Sequence, residues 1–238
     1  MMPRVPALHA GEVHVWALPA HAFRRAHVLL SPEEQARAER FRFDADRALY
    51  IAGRAGARRL IAAYADLDPA TVLFVPGEHG KPTLEGSAPP LHFNWSHSGE
   101  LALFAISPAA EVGVDVERTA RFANIDAIAD RVFSERELSD YRAQEGEDRR
   151  IAFFNAWTRK EAFIKATGEG MTRALKGFDV AVLPSDFVCV RAIEGSSAAA
   201  ACWSLHAFEP RTGYAAAVAV AAAGVELRVM EWPGAASE

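Results

Sequence analysis

Hydrophobic and polar positions along this chain follow two periods, and the change from one to the other marks out its elements. Residues 31–41, SPEEQARAERF, predict a helix with Ser31 as N-cap, Pro32 in the first position and Glu34 in the third. Residues 46–67, DRALYIAGRAGARRLIAAYADL, read as a longer amphipathic helix despite their glycines. A strand, a turn and a short strand follow in TVLFVPGEHGKPTL (71–84), then two strands around Ser-His-Ser-Gly in LHFNWSHSGELALFAIS (91–107). GVDVERT (113–119) alternates, NIDAIADRVFSERELSDY (124–141) opens a further helical stretch, and RRIAFFNAWTRKEAFIKATG (149–168) is a long helix. Strand patterns return in FDVAVL, FVCVRAI and ACWSLHAF and end in GYAAAVAVA, 213–221. From Glu226 the pattern is weak, and a loose tail is expected there.

The two halves echo each other. SPEEQ opens one helical stretch and SEREL opens another about a hundred residues later, while GELALFAIS and GYAAAVAVA sit near the end of each half. This spacing predicts an α+β chain of two similar lobes, residues 1–110 and 111–238, with a cleft between them. GVDVE opens the second lobe and is expected to line that cleft.

That pentapeptide raises a chemical question. Val112, Val114 and Val116 alternate as the buried face of a strand, which puts Asp115 and Glu117 together on the other face. Adjacent ionised carboxylates repel, so one is driven toward protonation unless something compensates. A divalent cation compensates well, and carboxylates with water and phosphate are the ligands Mg²⁺ prefers. A solvated strand face, with Arg118 offsetting the charge, is the alternative. On the long helix, Glu161 and Lys165 stand four apart on one face, with Trp157 a turn back. An exposed Glu–Lys pair is the ordinary reading. Phe154, Phe163 and Ile164 argue for burial of much of this helix, where charges need partners such as a metal for Glu161 and a phosphate for Lys165.

Composition narrows the field. Half the 238 residues are hydrophobic and the net charge is −5, which speaks against binding nucleic acid by bulk electrostatics. No apolar run reaches the roughly 18 residues a membrane span needs, and the N-terminus lacks a signal-peptide pattern. A cytoplasmic protein without membrane contact is expected. Cys189 and Cys202 lack zinc-type spacing and read as reduced core residues. Arg outnumbers Lys 22 to 4, and three of the four lysines, Lys160, Lys165 and Lys176, lie in or just after the long helix. Lysine is a point charge suited to phosphate.

GVDVE, followed some forty residues later by WTRKEAFIKATGEG, resembles the signature pair of the 4′-phosphopantetheinyl transferases. GKP at 80–82, NWSHS at 94–98 and the SPEEQARAERF helix are similar to the earlier motifs of the longer, Sfp-type branch. The resemblance implies a pseudo-dimer of two α+β lobes, likewise a monomer, with the active site between them. It implies transfer of the 4′-phosphopantetheine arm of coenzyme A to a serine of an apo acyl or peptidyl carrier protein, with release of 3′,5′-ADP. By the same resemblance Asp115, Glu117 and Glu161 hold Mg²⁺, and Lys165 contacts phosphate. Arg37, Gly80, Lys81, Pro82, Asn94, Ser96 and His97 contact coenzyme A, with Asp115 and Lys165 contributing, and Glu137 assists catalysis. Glu34 departs from the family's basic first helix, which leaves Arg40 and Arg54 as substitutes for contacts to the 3′-phosphate. The segment from Arg118 to Phe133 is expected at the carrier surface, with Phe122 and Ile125 packing on the carrier and Arg118, Arg121 and Arg131 facing its acidic helix. Two other classes remain open: a magnesium-dependent nuclease or nucleotidyl transferase, and a non-catalytic coenzyme A or carrier-binding module.

Overall fold

In chain order the first half forms β1 (Glu12–Pro19), α1 (Pro32–Glu39), α2 (Asp44–Ala65), β2 (Phe74–Pro76), β3 (Pro82–Leu84), β4 (His92–Ser98) and β5 (Leu101–Ser107). The second half forms β6 (Val112–Arg118), α3 (Ile125–Val132), α4 (Glu135–Arg142), α5 (Gly146–Thr167), β7 (Phe178–Val180), β8 (Val190–Ile193), α6 (Ser197–Ala200), β9 (Ser204–Phe208) and β10 (Tyr214–Val220), and β11 (Glu226–Glu231) follows. This is a computed structural model, and it describes residues 3–77, 80–86, 91–120, 124–170, 175–184 and 187–233. Among these no helix is long and apolar enough to cross a membrane.

The echo in the sequence becomes a repeat in space. Ser31 caps α1, its hydroxyl accepting the Glu34 N–H while the Glu34 carboxylate accepts the Ser31 N–H, and Ser134 and Glu137 build the same box at the start of α4. Helices α2 and α5 are each 22 residues long. One sheet is ordered β11-β1-β5-β4 and the other β6-β10-β9, so each half places its first strand beside its last. Apart from β11 the two orders correspond strand for strand.

Alternation decides the layering. Val13, Val15 and Ala17 of β1, Leu103 and Ala105 of β5, Val112, Val114 and Val116 of β6, and Ala216 and Val218 of β10 share one core between the two sheets. The opposite face of the first sheet, including Trp16, Leu18 and Phe104, packs on α2. The opposite face of the second sheet, including Ala217 and Ala219, packs on α5. The order of layers is therefore helix, sheet, sheet, helix.

Close helix approach needs a glycine in each lobe, in different places. A Cβ on Gly113 in β6 would lie 2.2 Å from Ala162 O and Ala166 N, so α5 crosses the strand directly over this residue. In the first lobe the glycine is on the helix, where a Cβ on Gly56 would meet Leu18 Cδ1 at 2.6 Å.

Two elements differ from the expected pattern. The tail expected to be loose forms β11, paired parallel with β1 from Glu12↔Glu226 to Ala17↔Glu231. Arg228 pairs with Glu12, and Trp232 beyond the strand packs its ring on Phe23 at 4.7 Å. The segment thus leaves the second lobe and closes an edge of the first lobe's sheet. Its partner β1 is itself absent from the elements the pattern predicts. The cysteines are a second correction, because Cys189 is only partly buried and Cys202, in the turn after α6, is exposed.

Candidate active site

Strands β4 and β6 run side by side at the junction of the lobes, joined by side chains. Alternate residues of NWSHS point at β6: the Asn94 side-chain oxygen accepts the Val114 N–H at 3.1 Å, the Ser96 hydroxyl donates to Asp115 Oδ1 at 2.8 Å, and the Ser98 hydroxyl donates to Glu117 Oε2 at 2.8 Å. The two-residue period of a strand is what aims all three at one neighbour.

Helix α5 supplies the other wall. Lys165 Nζ lies 2.6 Å from Asp115 Oδ1 and 2.9 Å from Ser96 Oγ, and Trp157 Nε1 lies 3.4 Å from Glu117 Oε1. Trp95, Ser96, His97, Asp115, Glu117, Trp157, Glu161 and Lys165 line a cavity of about 420 Å³. The three acids and the lysine expected to act together are thus in one place.

The carboxylates are not equivalent. Asp115 is 3% exposed; one oxygen serves Ser96 and Lys165, while its buried Oδ2 has no hydrogen-bond partner. Burial pushes the Glu161 carboxyl up from its ordinary value, the charges of Asp115 and Glu117 push it further, and Lys165 opposes them. An unpartnered buried carboxylate oxygen beside two more carboxylates is an all-oxygen donor set of the kind Mg²⁺ takes. As they lie, no three His, Cys, Asp or Glu side chains among the described residues are grouped closely enough to hold a cation. The donors fit in chemistry but have not converged.

Two further cavities follow on the His97 side. His97 also lines a cavity of about 510 Å³ with Phe41, Asp46, Leu49, Gly99 and Arg118. Phe41 in turn borders a third, where Arg37 and Arg40 stand. Arg37 lies over the Tyr50 ring at 5.7 Å, and Arg54 lies over Trp95 at 4.9 Å. Glu34 is occupied by Arg54 and Arg58, at 3.2 and 2.8 Å. The acid on the first helix therefore neutralises arginines of α2.

Several expected site residues lie elsewhere. Lys81 Nζ is held by Glu111 at 2.5 Å, by Val112 O at 3.0 Å and by Ala166 O at 3.1 Å, so it ties the β2–β3 hairpin to β6 and to the C-terminal end of α5. Gly80, with φ +83°, and Pro82, in β3, flank it, and none of the three lines the cavity. The Asn94 side-chain oxygen is committed to the Val114 N–H. Glu137 does not line this cavity: it is fully buried, paired with the equally buried Lys160 at 2.8 Å, and accepts the backbone N–H groups of Ser134 and Val180 at 2.8 Å each. Burial pushes Glu137 up and Lys160 down, and their mutual attraction opposes both shifts. These bonds join α4, α5 and β7 and brace the second lobe. Arg121 and Phe122 lie outside the described residues; Arg118 lines the cavity it shares with His97 and Phe41, and Ile125 opens α3. Sequence reasoning passed over Ser98 and Trp157 as partners of Glu117; the alternation of NWSHS and the first residue of WTRKEA were the available signals.

The chain also matches a known family along most of its length. Residues 14–109 match the model of the 4′-phosphopantetheinyl transferase N-terminal domain, and residues 111–219 match the 4′-phosphopantetheinyl transferase superfamily. The chain belongs to that superfamily and is a transferase. It is 33% identical over 231 residues to the 4′-phosphopantetheinyl transferase HetI of Nostoc sp., covering 94% of each chain. It is also 33% identical over 151 residues to the 4′-phosphopantetheinyl transferase Sfp of Bacillus subtilis, covering 63% of this chain and 66% of that protein. Among solved structures, a Chronobacterium ammoniagenes ACPS–CoA complex is 22% identical, covering 47% of this chain and 96% of that one with a TM-score of 0.38.

Proposed function

We propose that the protein transfers the 4′-phosphopantetheine group of coenzyme A to a serine of an apo acyl or peptidyl carrier protein, releasing 3′,5′-ADP, with Mg²⁺ as the cofactor. The observation that carries this reading is a row of three neighbouring cavities, successive ones sharing His97 and Phe41. It runs from Asp115, Glu117, Glu161 and Lys165 past His97 and Phe41 to Arg37 and Arg40. Acids for a metal at one end and arginines at the other match a diphosphate linked to a phosphorylated nucleoside.

In the reaction the serine oxygen bonds to the β-phosphorus as the bond from that phosphorus to the bridging oxygen breaks, and 3′,5′-ADP leaves. Bound to Asp115, Glu117 and Glu161, Mg²⁺ would neutralise charge on the diphosphate, worth several kcal/mol. Lys165 stands within reach of the same region and offsets charge on the departing phosphate. Glu161, or a water it orients, would accept the serine proton. Ser96 and His97 face the diphosphate from the first lobe. We read the protein as cytoplasmic and monomeric, the paired lobes of one chain supplying both walls of the site.

Mass spectrometry of an apo carrier protein incubated with coenzyme A and Mg²⁺ tests the reading. A gain equal to phosphopantetheine supports it. Cleavage of a nucleic acid without that gain would replace it with a nuclease, and coenzyme A binding without either reaction would leave a binding module.

A further inference from the structure

Glu117 is held from both lobes. Ser98 is fully buried; its hydroxyl accepts the Arg118 N–H at 3.1 Å and donates to Glu117 Oε2 at 2.8 Å. A hydroxyl has one proton, and with a backbone N–H on its lone pair that proton is committed to the carboxylate. Opposite it, the Trp157 indole N–H points at Glu117 Oε1 at 3.4 Å. The indole cannot swing freely, because it stacks on Phe153 with centroids 6.1 Å apart and planes 11° from parallel. The terminal torsion of a glutamate is otherwise broad, so an unrestrained carboxylate presents its lone pairs in many directions. A donor on each oxygen restricts that freedom.

We propose that Ser98 and Trp157 are positioning residues that orient the Glu117 carboxylate for its metal. The proposal rests on the reading of Asp115, Glu117 and Glu161 as ligands. Ser98 lies on β4 of the first lobe, whereas Trp157 lies on α5 of the second. Glu117 is therefore aligned only when the lobes are docked, which couples the cation site to the lobe junction. Ser96 does for Asp115 what Ser98 does for Glu117, and Asn94 holds the backbone between them.

The test is Mn²⁺ binding followed by electron paramagnetic resonance, with metal-free coenzyme A binding followed by calorimetry. Outer partners of metal ligands are typically worth 10–100-fold in metal affinity or activity. Ser98→Ala should weaken Mn²⁺ about tenfold, and Trp157→Phe, which keeps the stacked ring, by a smaller factor. Coenzyme A affinity without metal should change less than about twofold in both. The Mg²⁺ concentration giving half-maximal transfer should rise in parallel, with kcat recovering at saturating Mg²⁺. Wild-type Mn²⁺ affinity in both variants would overturn the proposal while leaving the transferase reading intact. Equal losses of Mn²⁺ and coenzyme A affinity would also overturn it, as the mark of general damage to the lobe junction. If Ser98→Ala does not fold, Trp157→Phe decides alone. A parent protein that neither binds Mn²⁺ nor transfers the group would overturn the metal reading itself, and this proposal with it.

Discussion

The two lobes share a plan, and the site is built in only one of them. Leu101 pairs with Pro19 in the first sheet as Tyr214 pairs with Arg118 in the second, and following those registers brings Trp16 opposite Phe104 and Asp115 opposite Ala217. On this count Trp16 and Leu18 occupy the positions of Asp115 and Glu117. In the first lobe these side chains are apolar and buried against α2. In the second they are carboxylates facing α5. Counting from the first residue of each long helix, Arg58 matches Lys160, Arg59 matches Glu161 and Ala63 matches Lys165. Arg58 and Lys160 each pair with the glutamate of a capping box, Glu34 and Glu137, both at 2.8 Å. The repeat therefore keeps its bracing and changes its chemistry.

The edges differ as well. The outer edge of β6 faces β4 across the serines and acids, whereas the outer edge of β1 is covered by β11. An edge must be paired or covered in some way. One lobe closes it with backbone, and the other leaves it to side chains that can also meet a ligand.

The largest effect should come from the position where the lobes diverge in charge. Asp115→Ala removes a metal ligand, and losing several kcal/mol of transition-state stabilisation slows transfer roughly a thousandfold or more. Trp16→Phe at the matching position loses the indole bond to Tyr64 and some packing, and should leave turnover within a few-fold. Steady-state rates of phosphopantetheine transfer check both. Near-normal turnover of Asp115→Ala at limiting Mg²⁺ would break the assignment.

The bracing pairs come next. Glu137→Ala strands Lys160 in a fully buried site and should cost about 3–5 kcal/mol in denaturant unfolding. Glu34→Ala should cost less, because its carboxylate is 12% exposed and one of its two arginines, Arg54, is 20% exposed, whereas Glu137 and Lys160 are both fully buried. Replacing both partners, Glu137→Leu with Lys160→Met, should recover much of the loss. Recovered stability with full activity would separate Glu137 from catalysis altogether.

Glycine placement sharpens the comparison further. Gly113→Ala sets a methyl against backbone atoms of α5, which cannot yield separately, so the variant should lose more than the about 1–3 kcal/mol usual for overpacking. Gly56→Ala meets side-chain atoms, the end of Leu18 at 2.6 Å and the edge of the Phe23 ring at 3.3 Å, and gains helix propensity, so its net cost should be smaller than that of Gly113→Ala. Melting temperatures of the two variants give the order directly.

The smallest effect is electrostatic. Glu161 has its folded value raised above the ordinary 4.5, so its contribution to stability is complete below that value and is lost as pH rises through the elevated one. Glu161→Gln should therefore melt slightly higher than the parent at neutral pH, with the gain disappearing in acid near pH 4. A lower melting point at neutral pH would mean that Lys165 dominates the site instead.

Local chemistry in the chain was enough to read the capping box at Ser31, the β2–β3 hairpin and the alternation of β6. It was also enough to bring Asp115, Glu117, Glu161 and Lys165 into one hypothesis, because strand and helix periods state which residues share a face. The partners of Lys81, Asn94 and Glu137 could not be read this way. Each depends on what stands opposite: two backbone carbonyls and Glu111, the Val114 N–H, and a buried lysine. Strands β1 and β11 are the extreme case. β1 is buried along its whole length, and β11 is mostly exposed, with no clean alternation. What makes β11 a strand is the open edge of β1 and the Glu12–Arg228 pair, contacts more than two hundred residues apart in the chain. A backbone edge satisfied by a distant segment leaves almost no trace in that segment's side chains, and so only the tertiary structure could decide it.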